Sequence, residues 1–310
     1  MYLERQPNFS IGPDDLEGEG AATPPPAAAA VPQGGLFWDG RANTLQSQAL
    51  EPLLNPREMA GGSVARVASK LRRAPYAARM TQLFGPAIFD RAGAAVAEAL
   101  FAVARYQIED PSFHPYSSKY DFWLEGKARL SAAESRGYAL FRDPARANCA
   151  ACHLDRPTGI GQPPLFTDHQ YEALGVPRNA KLAPNRVAGY YDLGLCGPVR
   201  TDLRQATQYC GMFLTPTLRN VATRKTFFHN GVYHTLAQVL DFYDFRAARP
   251  QRVYRTTKYD DLPPADRGNV DTVDAPFDRK PGQQPPLTAA EERDVIVFLK
   301  TLTDGYRPPK

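Results

Sequence analysis

Several features that would place this chain in a special class are scarce. Its 310 residues contain only four cysteines, too few for a scaffold built on disulfides. The formal net charge of +4 is too small to indicate a nucleic-acid-binding surface. The longest apolar stretch, residues 93–108, is interrupted by Glu98 and Arg105, so no membrane-spanning helix is expected. The first residues also lack a signal peptide, which taken alone favours the cytoplasm.

Alternating patterns typical of strands are missing too, whereas helical spacing recurs. Val96, Leu100 and Val103 predict a helix with a broad apolar face. Two capping boxes, Ser131–Glu134 and Thr288–Glu291, predict where two further helices begin. Fifteen of the 29 prolines lie in residues 1–32 and 250–310, in stretches typical of extended loops. We therefore expect a mainly α fold with long irregular loops.

The strongest motif is Cys149-Ala150-Ala151-Cys152-His153. Cys-x-x-Cys-His is the attachment signature of c-type haem. Each thiol adds to a haem vinyl group, and the adjacent histidine is thereby placed under the iron as its proximal ligand. The sequence therefore predicts one covalent haem c on Cys149, Cys152 and His153. Because haem c is attached outside the bacterial inner membrane, this prediction implies the periplasm.

Other uses of a Cys-x-x-Cys motif fit less well. A thioredoxin-like motif follows a strand, whereas this one follows a predicted helix. A zinc site needs a second close pair of ligands, but Cys196 and Cys210 stand far apart in the sequence. In an oxidising compartment two remaining cysteines usually pair. We expect a Cys196–Cys210 disulfide, with two free buried thiols as the alternative.

The second axial ligand of the iron is open, since methionine, histidine, tyrosine or no side chain can serve. Methionine is rare in this chain, and Met212 lies downstream of the haem motif in a loop rich in turn residues. Iron held by histidine and methionine has a raised potential and suits electron transfer. We therefore predict Met212 as the second ligand; the alternative is that it only packs against the haem.

Further motifs occur in a fixed order along the chain. They are Phe37-Trp-Asp-Gly-Arg41-Ala, Gln48-Ala, Pro52, Asn55-Pro-Arg-Glu58-Met, the haem motif, Met212-Phe-x-x-Pro-Thr-Leu-Arg-Asn220, Phe228-His-Asn-Gly231 and Phe298-Leu-Lys-Thr-Leu302. With these motifs the chain from Gly35 to Tyr306 resembles the bacterial dihaem cytochrome c peroxidase family, which includes the MauG-type enzymes. The resemblance implies two cytochrome c-like domains, each carrying one haem c, often with a calcium ion (Ca2+) between them.

The same resemblance implies roles for individual residues. Trp38 matches the tryptophan between the two haems, Glu58 the distal acid/base at the peroxidatic iron, and Gln48 a neighbouring distal-pocket residue. Met212 falls on the position of the family's methionine ligand. A carboxylate can move a proton between peroxide oxygens, provided that burial raises its pKa towards the working pH. Arg219 is a candidate partner for a haem propionate, because a guanidinium pairs with carboxylates in a bidentate manner.

The resemblance also divides the chain. Residues 1–35 are expected to be a flexible Pro/Ala-rich segment, 36–125 a remnant of the N-terminal peroxidatic domain, and 126–310 the C-terminal electron-transfer domain. One departure is large, because no Cys-x-x-Cys-His precedes Trp38 although Gln48 and Glu58 are present. We expect a chain that begins after the first haem motif, which would also explain the missing signal peptide. A true single-haem form is the alternative.

Three functions follow from this reading. The first is a peroxidase that reduces hydrogen peroxide to water with electrons from a small periplasmic donor, a cytochrome c or a cupredoxin; such proteins are often homodimers. The second is a MauG-type enzyme that oxidises residues of a partner protein. MauG-type enzymes use a tyrosine as the second ligand of the C-terminal haem, and Tyr209 and Tyr233 are nearby, but Met212 favours the peroxidase. The third is a single-haem electron carrier without catalysis.

Overall fold

The computed structural model describes residues 8–12, 30–156 and 163–308, which divide into two compact units. The first unit comprises the described residues 8–10 and 34–114, and the second comprises the others. Most of the predicted flexible segment 1–35 lies outside the described residues. The structure divides the chain between His114 and Pro115, earlier than the expected boundary at 125/126, because residues 119–124 contribute Tyr120 to the core of the second unit.

Four α-helices form the described part of the first unit: α1 (Leu45–Leu54), α2 (Val64–Leu71), α3 (Ala77–Phe84) and α4 (Ala92–Glu109). The predicted helix through Val96 is confirmed as α4. Val96 and Leu100 are buried with Val67 in one apolar cluster, where α1 and α2 pack against α4. Val103 is 44% exposed, so its expected place on the buried face is wrong. This packing gives α1, which carries Gln48, a fixed support.

The second unit has four more α-helices in its described residues: α5 (Lys119–Leu124), α6 (Ala132–Arg142), α7 (Leu236–Phe245) and α8 (Ala289–Lys300). The capping boxes predicted at Ser131 and Thr288 open α6 and α8. These two helices approach closely at Gly137, where a Cβ would lie 2.0 Å from the carbonyl oxygen of Asp294. Glycine is therefore needed at this crossing.

Strands are short, as expected for a mainly α chain. β1 (Ser10–Gly12) pairs with β2 (Val31–Gln33), and β3 (Tyr171–Glu172) pairs antiparallel with β4 (Phe213–Leu214). The long connections contain short 3₁₀ turns: Ile88–Asp90, Pro111–Phe113, Cys149–Ala151, Pro184–Arg186, Thr207–Tyr209, Val221–Thr223, Pro250–Arg252 and Pro264–Asn269.

The core of the second unit is aromatic. Tyr120, Phe141, Phe166 and Phe298 are almost completely buried and lie in edge or tilted contact with one another. Such pairs add specific geometry to ordinary apolar burial. Within the described ranges, no helix is both long and apolar enough to cross a membrane.

Candidate haem-binding site

The haem motif lies directly after α6, on the edge of this aromatic core. Asn148 adopts a left-handed conformation (φ 48°) and starts the 3₁₀ turn Cys149–Ala151. The backbone N–H of His153 then donates to the carbonyl oxygen of Cys149 at 2.8 Å. This geometry places Cys149, Cys152 and His153 within about one turn of the backbone.

His153 has the environment of a metal-binding histidine. Its Nδ1 lies 3.0 Å from the carbonyl oxygen of Phe166, and because a carbonyl only accepts, Nδ1 carries the proton in this contact. The second ring nitrogen, Nε2, is then the one with a lone pair for a metal. Burial lowers the pKa of His153 to about 4, so the imidazole is neutral near pH 7, the form that coordinates iron.

The two cysteines of the motif are reduced. Burial raises the pKa of Cys149 to about 12, so its thiol is protonated near pH 7. Cys149 and Ala150 pack against the aromatic core. Two thiols, a neutral imidazole and an apolar aromatic wall are the donor set and the surroundings that haem c requires. The residues present therefore fit the cofactor that the motif predicts.

A tyrosine that sequence reasoning missed interacts electrostatically with both cysteines. Burial, and then Cys152 and Cys149, raise the pKa of the Tyr243 hydroxyl above that of a free phenol. Tyr243 is on α7, where it continues an apolar stripe begun by Leu236 and Val239. The sequence signal that could have revealed Tyr243 was its place seven residues after Leu236, where a side chain with a polar tip continues the apolar face of α7. In the described residues, no contact joins the motif to Tyr209 or Tyr233, the two tyrosines named from the sequence.

Met212 is held mainly through its backbone. Its N–H donates to Tyr209 and its carbonyl accepts from Leu195, both at 3.2 Å. The predicted disulfide between Cys196 and Cys210 is confirmed, with Cα atoms 5.0 Å apart. It closes the loop that leads into Met212, as expected. The role of Met212 as the second iron ligand stays a prediction.

The expectation that Arg219 pairs with a haem propionate is wrong. Its guanidinium is completely buried and donates to both carboxylate oxygens of Asp121, at 2.8 and 2.7 Å. Asp121 is 98 positions earlier in the chain, so only the tertiary fold reveals the partner. The guanidinium is thus committed to a carboxylate of this chain.

Three carboxylates lie close together near Cys152, and they are the group in the described part of the chain that could hold a cation. Glu172, Asp271 and Asp274 each offer an oxygen within 4.8 Å of the others. Burial, and then Asp271, raise the pKa of Glu172 to about 7. Arg246 already donates to the backbone carbonyl of Asp271, so a fixed positive charge competes with any cation there.

The predicted residues of the first unit lie in and around α1. Trp38 is 39% exposed, in a loop whose ends are joined by a hydrogen bond from Leu36 N–H to Ala42 O of 2.7 Å. The loop starts at Gly35 (φ +79°), where a Cβ would lie 2.6 Å from the Gly40 carbonyl oxygen. A glycine is therefore required for the turn that presents Trp38.

Arg41 fixes this loop to α1. Its guanidinium pairs with Asp39 at 2.7 Å and with Glu51 of α1 at 2.8 Å, and lies 3.7 Å from the ring centroid of Phe37. Gln48 is on the same helix and is half-buried. The Phe37-Trp-Asp-Gly-Arg41 motif is thus a small structural unit that sets the position of Trp38 relative to α1.

Glu58 lies in the turn after α1 and is exposed. Its carboxylate accepts a hydrogen bond from the Asn55 amide at 2.6 Å, and its backbone N–H donates to the Asn55 carbonyl at 3.0 Å. The turn orients the side chain, but the burial that a proton-shuttling carboxylate needs is not supplied by these neighbours. The catalytic roles of Trp38, Gln48 and Glu58 stay predictions.

Comparison with known proteins agrees with this geometry. Residues 2–129 match the model of a family described as di-haem cytochrome c peroxidase. The diheme peroxidase BthA from Burkholderia thailandensis has 36% sequence identity and a TM-score of 0.84, over 97% of this chain and 76% of that chain. A tyrosine-to-methionine variant of BthA gives 38% and 0.88, over 98% and 70%. The chain belongs to the dihaem cytochrome c peroxidase and MauG family.

Curated members of this family are similar over part of their length. The methylamine utilization protein MauG of Paracoccus denitrificans is 37% identical over 223 residues, which is 71% of this chain and 56% of that protein. The cytochrome c peroxidase Ccp of Escherichia coli is 32% identical over 201 residues, 64% of this chain and 37% of that protein. The chain therefore spans less than two thirds of the curated relatives it matches. Family membership implies haem c as the cofactor.

Proposed function

We propose that this chain is a periplasmic cytochrome c peroxidase-like oxidoreductase that reduces hydrogen peroxide to water. The observation that carries the proposal is the arrangement of His153, with Nδ1 bonded to the Phe166 carbonyl, beside two reduced thiols in a member of this family. Cys149 and Cys152 would hold haem c covalently, and His153 would present Nε2 to it. Haem c, when bound, supplies a redox-active iron.

The chain's own residues have separate tasks in this proposal. His153 keeps its proton on Nδ1 and so remains a neutral ligand. Trp38 would pass electrons from the haem on His153 towards the second, peroxidatic haem of the family, for which this sequence has no Cys-x-x-Cys-His motif. Glu58 would hold and move a proton at that second haem, and Gln48 of α1 would lie in the same pocket. Electrons come from a small periplasmic donor, a cytochrome c or a cupredoxin. The active form is proposed to be a homodimer, as is frequent in the family.

Peroxide turnover tests the role of Glu58. The full-length protein, loaded with both haems of the family, is mixed with hydrogen peroxide and a reduced small cytochrome c, and oxidation of the donor is followed. Glu58→Gln should slow turnover about 100-fold or more, because a positioned acid/base typically contributes that much. The matched control is Asp90→Asn, an exposed carboxylate of the same unit, which should not change the rate. Unchanged turnover in Glu58→Gln would remove Glu58 from the mechanism, and no turnover with haem present would favour the electron carrier.

A second candidate function has an observation of its own. Tyr243 interacts electrostatically with both haem cysteines, and a tyrosine is the second ligand of the C-terminal haem in MauG-type enzymes. The phenol of Tyr243 therefore supports a MauG-type enzyme that oxidises residues of a partner protein, as Met212 supports the peroxidase.

Two variants separate these candidates. Tyr243→Phe removes only the hydroxyl, and Met212→Leu removes only the thioether. We expect the haem absorption and magnetic circular dichroism spectra to change in one variant and not in the other, because only one side chain is the ligand. A change in Met212→Leu alone would support the peroxidase, and a change in Tyr243→Phe alone would support the MauG-type role. Identical wild-type spectra in both variants would contradict both ligand assignments.

A further inference from the structure

The acceptor of the His153 proton has an unusual backbone. Phe166 has φ 57°, in the left-handed region that residues other than glycine rarely adopt. Its ring is fully buried and contacts Tyr120 and Phe141. Such a conformation persists only when the surrounding structure holds it, and it is common at functional sites. The Phe166 carbonyl is therefore aimed at His153 by something outside the residue itself.

The segment Pro164–Phe166 is held by a second segment, Thr217–Arg219. All three consecutive carbonyl oxygens of the first accept hydrogen bonds from the second. The donors are Arg219 Nε to Pro164 O at 2.8 Å, Thr217 Oγ1 to Leu165 O at 2.5 Å and Leu218 N to Phe166 O at 3.3 Å. The oxygen of the Phe166 carbonyl thus accepts from both His153 and the backbone N–H of Leu218. Because it holds Pro164–Phe166 in place, Thr217–Arg219 is called the bracing segment.

The bracing segment is itself anchored by charge. Arg219 and Asp121 have side-chain exposures of 0% and 2%, and the guanidinium bonds both carboxylate oxygens. Asp121 also accepts from the backbone N–H and the hydroxyl of Ser118, at 2.9 and 2.6 Å. The pair therefore links the start of α5 to the acceptor of the His153 proton. Nη1 of Arg219 donates to both oxygens of Asp121 while Nε donates to Pro164 O, and these buried bonds together fix the guanidinium in one orientation.

We propose that the Asp121–Arg219 pair is a positioning device that holds the Phe166 carbonyl against Nδ1 of His153 and thereby sets the reduction potential of the haem iron. The inference rests on the haem attachment proposed above. A hydrogen bond from Nδ1–H to an acceptor makes the imidazole a stronger electron donor. A stronger donor stabilises the oxidised iron and keeps the potential low. Loosening the brace should therefore raise the potential.

Arg219→Lys tests this without changing the net charge. A lysine is a point donor and cannot bond both Asp121 and Pro164 O in the fork geometry of arginine. We expect the equilibrium constant for haem reduction to increase about tenfold, or about 59 mV for one electron. Thr217→Val removes only the hydroxyl donor to Leu165 O and should shift the potential in the same direction by less. Spectroelectrochemical titration of the haem-loaded protein measures both shifts.

Arg178→Lys is the matched control. It disturbs another largely buried arginine–aspartate pair of the same unit, Arg178–Asp261 at 3.1 Å, and should leave the potential unchanged. An equal shift in this control would mean general loosening and would overturn the inference. Unshifted potentials in Arg219→Lys and Thr217→Val would also overturn it, and Thr217→Val alone decides if Arg219→Lys does not fold. Wild-type protein without covalent haem would overturn the proposed haem attachment and this inference together.

Discussion

The two units fix their candidate functional residues in different ways. In the second unit, His153 is half-buried, its Nδ1 has a backbone acceptor, and a buried ion pair supports that acceptor. In the first unit, Trp38 is 39% exposed and Glu58 lies in an exposed turn. The haem motif is therefore accompanied by the groups that orient it. Trp38 and Glu58, whose roles come from the family resemblance, have defined positions in the first unit. Within that unit they are not shielded from solvent as their expected chemistry needs.

Ion pairs show the same contrast. Asp121 and Arg219 of the second unit are buried, and Nη1 of Arg219 donates to both carboxylate oxygens. The Arg105–Glu109 pair of the first unit lies on one face of α4, with side-chain exposures of 49% and 60%. Solvent screens an exposed pair, whereas a buried charge that loses its partner is left without water or counter-charge. The consequences of breaking the two pairs should differ accordingly.

Asp121→Ala should produce the largest loss of stability. It leaves the buried guanidinium of Arg219 without its carboxylate and also removes the acceptor that caps α5 at Ser118. We expect the free energy of unfolding to fall by about 3–5 kcal/mol. Urea unfolding of the haem-loaded protein, followed by circular dichroism, measures the change.

Glu109→Ala is the counterpart in the first unit. It breaks the exposed i,i+4 pair with Arg105, and we expect a loss of about 0.5 kcal/mol or less. Similar losses in Asp121→Ala and Glu109→Ala would mean that the buried pair has little influence on the second unit, and the contrast between the units would then be wrong.

The features that sequence reasoning predicted are local. The capping boxes of α6 and α8 involve residues three positions apart, and the haem motif spans five consecutive residues. The Cys196–Cys210 disulfide was predicted by elimination, since four cysteines left one pair outside the motif. The capping boxes and the haem motif involve residues that are close together in the chain. The disulfide could be predicted because few cysteines were available to form it.

The features that were missed depend on contacts distant in sequence. Arg219 meets Asp121 across 98 positions, and the chain between them contains α6 and the haem motif. Tyr243 interacts electrostatically with Cys149 and Cys152 only because α7 packs on the core that the motif also contacts. Nothing in the local sequence of Phe166 indicates a left-handed backbone, because phenylalanine has no preference for it. Tertiary packing decided all three.

The disulfide gives the next largest effect. The first unit contains no cysteine, whereas Cys196 and Cys210, 14 positions apart, close a loop of the second unit. Replacing both by alanine should reduce the free energy of unfolding by about 3 kcal/mol, because a loop of this length gains that much freedom in the unfolded chain. Thermal unfolding with and without the reductant dithiothreitol measures it. A reductant-dependent loss that persists in the double variant would contradict the assignment to this disulfide.

Buried carboxylates also distinguish the units. Asp244 of α7 is buried, and burial, followed by the neighbouring Glu292 of α8, raises its pKa above the ordinary 3.8. The native state therefore holds a proton that the unfolded chain has released. Stability from this proton is complete below pH 3.8 and is lost as the pH rises towards the folded-state pKa. In the first unit, the backbone N–H of Ser112 lowers the pKa of the exposed Asp110, so its contribution is lost only when the pH falls below 3.8.

Glu292→Gln should flatten the pH dependence of stability between pH 5 and 8. The amide replaces a like charge with a hydrogen-bond donor, so the pKa of Asp244 falls and less stability is lost as the pH rises. We expect the decrease in unfolding free energy over this interval to be smaller by about 1 kcal/mol. Urea unfolding at pH 5, 6.5 and 8 tests this. Asp110→Asn is the control. Because Asp110 changes stability only below pH 3.8, this variant should leave the dependence of the unfolding free energy on pH between pH 5 and 8 unchanged. A slope that is the same in wild type and Glu292→Gln would show that the acidic pair on α7 and α8 does not hold a proton in the native state.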